Sequence, residues 1–169
     1  MREDLHGDVK PRSFAPTAKT TIEFAVEKMV DVFAELQEMI AVQYAETGDK
    51  AVECNPNWAL YEALEKTGNG VLIVARDGGR AIGYAIVLAY RNPNSADMVV
   101  GSISTWFVEP RFSRVLLERA LLRAGIEWAK SKNARSMLVE TEYEHSAERL
   151  LTTMGFAPVK VGYRMTLEA

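Results

Sequence analysis

A chain of 169 residues, 48% hydrophobic and 25% charged, has the size and composition of one globular domain that buries its own core. Its formal charge of −3 leaves no electrostatic footprint for nucleic acid, and no apolar run approaches the roughly 20 residues that cross a bilayer. The single cysteine, Cys54, forms no internal disulfide, which fits a reducing, cytoplasmic setting.

Residues 1–19 read as a loose arm with Gly7, Pro11 and Pro16, and with room for a short strand at Ser13–Ala15. The opening MREDLHGDVKPRS is polar and mixed in charge, unlike a secretory leader. From Thr20 to about Glu46, Ile22, Val26, Met29, Phe33, Leu36 and Ile40 recur every three or four residues, which predicts one helix. Thr20 or Thr21 caps its start and Gly48 follows its end. After a polar loop, Asn57 offers an N-cap for a short helix, WALYEALEK.

VLIVA (71–75) reads as a buried strand, RDGGR as a tight turn, and AIGYAIVLAY (81–90) as the returning strand of a hairpin. RNPNSAD is expected to be a loop, and MVVGSISTWFV (98–108) a third strand paired with its predecessor. Beyond Pro110 a helix is expected to about Lys132, with Leu117, Leu121, Ala124 and Trp128 on its apolar face. SMLVE (136–140) is a fourth strand, parallel to the third by the crossover rule. Ser146 caps the helix AERLLTTM, Gly155 ends it, and VKVGYRMTL (159–167) is the final strand. The order predicts an α/β (α+β) single domain over 20–169: a mixed, mostly antiparallel sheet with helices on both faces.

Two stretches resemble the GNAT superfamily of acetyl-CoA-dependent N-acetyltransferases. Its central motif is Val-x-Pro-x-Tyr-Arg-Gly-x-Gly-Ile-Gly followed by a helix with Leu-Leu. Here Val108, Pro110 and Phe112 take the first, third and fifth places, and Leu121 and Leu122 the two leucines. Ala147, Gly155 and Phe156 match the closing Asn-x-x-Ala-x-x-x-Tyr-x-x-x-Gly-Phe in register. The resemblance covers roughly residues 20–167, and 98–167 best. There are departures. Ser113, Arg114, Val115, Leu116, Leu117 and Glu118 fill the places of Arg-Gly-x-Gly-Ile-Gly, Glu144 that of the asparagine, and Leu151 that of the tyrosine.

The resemblance implies acetyl transfer from acetyl-CoA to an amine of a small molecule or a protein. A helix N-terminus favours a diphosphate, and its amides exist without glycine. The cofactor-binding residues expected are Phe107, Val108, Arg111, Ser113, Arg114, Val115 and Leu116, with the arginines adding charge-assisted contacts and a strand N–H near Phe107 meeting the oxyanion. For proton transfer the candidates are Glu140 and Glu142, which alternation puts on one face of the fourth strand, Tyr143 near its end, and Ser104, which shares a strand face with Ser102. His145 has a suitable ordinary pKa. Each of these also has a plain reading: solvated surface carboxylates, a half-buried surface tyrosine, an exposed histidine, and Ser113 as no more than an N-cap.

His6, His145 and Cys54 make no recognisable zinc site, and GNG (68–70) and DGG (77–79) are turns rather than phosphate loops, so no metal is expected. Partners expected are acetyl-CoA and an amine acceptor, with no nucleic acid and no membrane. An exposed last strand leaves a homodimer open. The missing glycines and tyrosine keep a second reading in play: a GNAT-like binding or regulatory protein without catalysis, resembling those that some bacteriophages carry to act on host proteins.

Overall fold

The computed structural model describes residues 21–47, 53–112, 114–141 and 147–159. Its elements are β1 (Ile22–Glu27), α1 (Met29–Thr47), α2 (Trp58–Lys66), β2 (Gly70–Asp77), β3 (Arg80–Asn92), β4 (Ser95–Val108), α3 (Arg114–Ser131), β5 (Ala134–Val139) and α4 (Ala147–Thr153). The five strands form one sheet in chain order. β1 to β4 pair antiparallel, and β5 lies parallel to β4 after the α3 crossover. The sheet is mixed and mostly antiparallel, as the sequence implied. The expected 13–15 strand, the Ser146 cap and all but the first residue of the expected last strand lie outside the described residues.

Two expectations need correction. The single helix from Thr20 is instead a strand followed by a helix. Ile22, Phe24 and Val26 also alternate with Glu23, Ala25 and Glu27, so IEFAVE carries a strand period as well as a helical one. The edge of β2 decides between them, because β1 satisfies its backbone groups from Asp77 to Leu72. α1 then starts at Met29, whose N–H meets the Glu65 carboxylate of α2 at 3.3 and 3.4 Å. Its buried stripe is Met29, Val32, Leu36 and Met39.

The second correction concerns 91–97. β3 runs through Asn92 and β4 begins at Ser95, so the loop shrinks to Pro93 and Asn94. The Asn92 side chain accepts from the Asn94 N–H at 2.8 Å, and proline suits the first central position of such a turn. The β2–β3 hairpin matches its reading: Gly78 and Gly79 have φ of 57° and 88°.

Alternation along the strands divides the core in two. Val71, Ile73, Ala85, Val87, Ile103 and Val108 face Leu117, Leu121, Leu122 and Leu150 of α3 and α4. Leu72, Val74, Tyr84, Ile86 and Phe107 face Met29, Val32, Leu36 and Met39 of α1. α3 lies so close to the sheet that only glycine fits at the contact. A Cβ on Gly125 would stand 2.9 Å from Val87 Cγ2, and one on Gly101 would stand 2.7 Å from Ala129 Cβ.

Candidate functional site at the parted edge of β4

The central feature is a defect in β4. Its pairing with β3 jumps from Ile86↔Thr105 to Val87↔Ile103, so Ser104 has no cross-strand partner. Its pairing with β5 stops at Ile103↔Val139, although β4 continues to Val108. Beyond the bulge, therefore, one edge of β4 is held by β3 and the other is released, with no partner among the described residues.

The register tells which groups face the released edge. Glu109 N–H donates to Ile82 O at 2.9 Å, which makes that pair hydrogen-bonded. Tyr84↔Phe107, two residues back, is of the same kind. The backbone groups of Trp106 and Val108 then turn away from β3, toward the edge that β5 leaves. Phe107 contributes its ring, 5% exposed in the α1-side core.

Released strand and helix N-terminus meet through Arg114, the first residue of α3. Its guanidinium pairs with Glu46 of α1 at 2.7 Å and stands 5.5 Å from the centre of the Phe107 ring. Its Nε is buried and has no hydrogen-bond partner among the described residues. Val115 and Leu116 project outward, 57% and 65% exposed, while Leu117 turns into the core. Arg111 takes another direction. It pairs with Glu109 at 2.8 Å, lies over Phe112, and lines a cleft of about 360 Å³ with Met39, Val42, Arg80 and Phe107 on the α1 side. Arg80 also pairs with Glu109.

Ser104 is exposed at the bulge, and Glu140 is exposed one residue past β5. Ser104 and Thr105 both fall between Ile103 and Trp106, which pack on the α3 side, so the alternation along β4 slips by one residue at the bulge. Val108 is fully buried. Ser113, Glu142, Tyr143 and His145 lie outside the described residues. Leu151 is half-buried against the α3-side core.

A polar group that the sequence reading passed over sits beside the bulge. Gln43 of α1 donates from Nε2 to Thr105 Oγ1 at 2.6 Å and to Trp106 O at 3.2 Å. The Tyr84 hydroxyl donates to Gln43 Oε1. Burial pushes the Tyr84 phenol above its usual 10.0, so it remains a protonated donor at neutral pH. The signal was present: Gln43 follows Leu36 and Met39 at helical spacing, a polar residue on a buried stripe.

Residues 32–156 match the model of the acetyltransferase (GNAT) family. The chain belongs to that family. Solved structures with the same fold include an acetyltransferase of Trypanosoma brucei, at 17% identity and TM-score 0.64, covering 87% of this chain and 100% of that one. Another is the ribosomal-protein-alanine N-acetyltransferase of Brucella melitensis biovar Abortus 2308, at 15% identity, TM-score 0.64, and 88% and 100% coverage. The glucosamine-6-phosphate N-acetyltransferase of Arabidopsis thaliana is similar at 13% identity, TM-score 0.67, and 88% and 99% coverage. No curated sequence matches. As a GNAT domain the chain has no helix, among the described residues, long and apolar enough to cross a membrane.

Proposed function

We propose that this GNAT domain transfers an acetyl group from acetyl-CoA to an amine, with the cofactor seated along the released edge of β4 and over the start of α3. The supporting observation is the parting of β4 from β5 after Ile103↔Val139, directly upstream of a helix whose first turn is open to solvent. The residues present fit the cofactor. Arg114 carries at the helix start a buried Nε with no partner among the described residues, and the Leu116 side chain beside it is exposed rather than packed in the core.

Acetyl-CoA supplies the activated acetyl group as a thioester. The amides of Arg114, Val115 and Leu116, with the Arg114 guanidinium, hold the diphosphate. The outward backbone groups of Trp106 and Val108 orient the chain that follows, and the Trp106 N–H is aimed where an oxyanion develops. Ser104 at the bulge and Glu140 past β5 stand nearest the parting point as proton carriers, with Glu142 and Tyr143 next in the chain. The acceptor is a small molecule or a protein, reached from the α1–α2 side.

A second reading has one observation in its favour. Leu151 stands where the family places its tyrosine acid, and it packs into the core. A GNAT-fold protein that binds the cofactor without turning it over would tolerate that exchange, and so would an enzyme whose thiolate leaves unassisted, since a free thiol has a pKa of only about 8.5. Calorimetric titration with acetyl-CoA, followed by thiol release over a panel of amines, separates the two. Binding with release supports the transferase. Binding without release supports a regulatory protein acting on a partner. Absence of binding removes both.

A further inference from the structure

The Gln43 carboxamide bonds groups from two strands, and both of its N–H donors are engaged. Its oxygen takes the hydroxyl of Tyr84, a residue only 2% exposed. Its nitrogen serves the Thr105 hydroxyl at 2.6 Å and the Trp106 carbonyl at 3.2 Å. These last two contacts bracket one peptide group. Thr105 and Trp106 flank the bond that carries the Trp106 N–H, and that N–H faces the released edge of β4. Past the bulge no β5 partner holds this edge. Among the described residues only β3 holds this stretch, and the bulge at Ser104 breaks its register there, so a preorganised donor needs a further support.

We infer that Gln43 is a positioning residue for acyl transfer: from α1 it grips Thr105 and Trp106 together and so fixes the direction of the Trp106 N–H on the open edge of β4. The role rests on the transferase reading above. It also explains the side chain chosen. An apolar residue at 43 would leave the buried Tyr84 hydroxyl and the Thr105 hydroxyl without this partner. A carboxylate would still accept from Tyr84, but it has no N–H for the Trp106 carbonyl and would face that oxygen with negative charge.

The difference between glutamine and glutamate makes the test. Gln43→Glu keeps the Tyr84 bond and loses the grip on Trp106. Both Gln43→Glu and Gln43→Leu are expected to lower kcat roughly tenfold or more, short of the hundred- to thousandfold of losing a donor outright, with the KM for acetyl-CoA little changed. The backbone order parameter of the Trp106 amide is expected to fall from the rigid value of about 0.85 toward 0.6 in both variants. Met29→Ala, at the far end of α1, controls for lost stability: it should lower Tm and leave kcat in place. A Gln43→Glu protein with wild-type kcat and an unchanged Trp106 order parameter overturns the role, because Gln43 would then only satisfy Tyr84. If the unaltered protein transfers no acetyl group to any amine, the transferase reading fails and takes this role with it.

Discussion

Arg114 at the first turn of α3 and Glu46 near the end of α1 form a 2.7 Å ion pair that joins the proposed diphosphate site to the helix proposed to flank the acceptor. Both side chains are about one-third exposed, 37% and 36%, so the pair itself contributes little to stability. Its larger effect is competition. A diphosphate that takes the Arg114 guanidinium has to draw it from Glu46. Glu46→Ala is therefore expected to tighten acetyl-CoA binding by up to about fivefold, the worth of an exposed pair. Arg114→Ala should weaken it by about tenfold or more, the scale of a lost hydrogen bond to a charged group. Titration calorimetry at low and high salt checks both, and the Glu46 effect should shrink as salt screens the pair. Equal affinities in all three proteins would place the diphosphate elsewhere.

Acid stability should depend on Glu35. Arg76 donates to both Glu35 oxygens at 3.0 Å, and the Ala81 N–H adds a bond at 2.8 Å. The Arg76 hydrogen bond, with the Ala81 bond behind it, holds the Glu35 carboxyl below its ordinary 4.5 against the opposing pull of burial. A carboxyl lowered in the folded state contributes stability that is present above pH 4.5 and is lost as pH falls through its depressed value. Glu35→Gln should therefore lose stability at neutral pH and show a flatter decline below pH 4.5 than the unaltered chain. Chemical denaturation across pH 3 to 7 reads this directly. Parallel curves would mean that Arg76 finds equivalent support from Glu27, which it holds at 2.6 and 2.7 Å.

Two glycines should tolerate no side chain. A Cβ on Gly83 would sit 2.8 Å from the Phe107 carbonyl oxygen, and one on Gly101 would sit 2.6 Å from Met137 Sδ and 2.7 Å from Ala129 Cβ. The Gly83 clash is with backbone on the stretch of β4 that bears the candidate site. The Gly101 clash presses on Ala129 of α3 and displaces the Met137 side chain of β5. Each change to alanine is expected to cost about 1–3 kcal/mol and to lower Tm by about 2–4 °C per kcal/mol. At equal loss of Tm, Gly83→Ala should harm acetyl transfer more than Gly101→Ala, because it shifts Phe107 and with it Trp106. Differential scanning calorimetry paired with turnover checks the ordering.

The sequence made much of this fold readable where one signal stood alone. Asn57 caps α2 by accepting from the Leu60 N–H at 3.1 Å, Gly78 and Gly79 turn the hairpin, and Gly155 takes a φ of 92° after α4. It misled where two periods coincided. Ile22 and Val26 fit a helix and a strand equally, and only the edge of β2, distant in sequence, decides. The site was legible in part for a similar reason. Pro110 and the Leu121–Leu122 pair mark the strand-to-helix turn from local chemistry. The bulge at Ser104 is a property of register against β3, which no local pattern encodes. Gln43 and Thr105 lie 62 residues apart, so their bond becomes visible only once α1 is laid across the sheet.

The missing glycines of the helix start can be tested by restoring one. Leu116 stands in a glycine place of the family motif and is 65% exposed, so its side chain supports little of the core. Leu116→Gly should cost up to about 1 kcal/mol in helix propensity, and less than a mid-helix change because it lies in the first turn. It should also let a phosphate oxygen approach the backbone N–H groups of the first turn more closely than a side chain there allows. The expected result is a Tm lowered by a few degrees with acetyl-CoA bound severalfold more tightly. Leu117→Gly, one residue on, gives the contrast: Leu117 is 7% exposed, and its loss should unfold the helix contact without any gain in affinity. An unchanged acetyl-CoA affinity in Leu116→Gly would mean that the bulky first turn never stood in the diphosphate's way. Weaker binding would mean that the leucine itself packs on the cofactor.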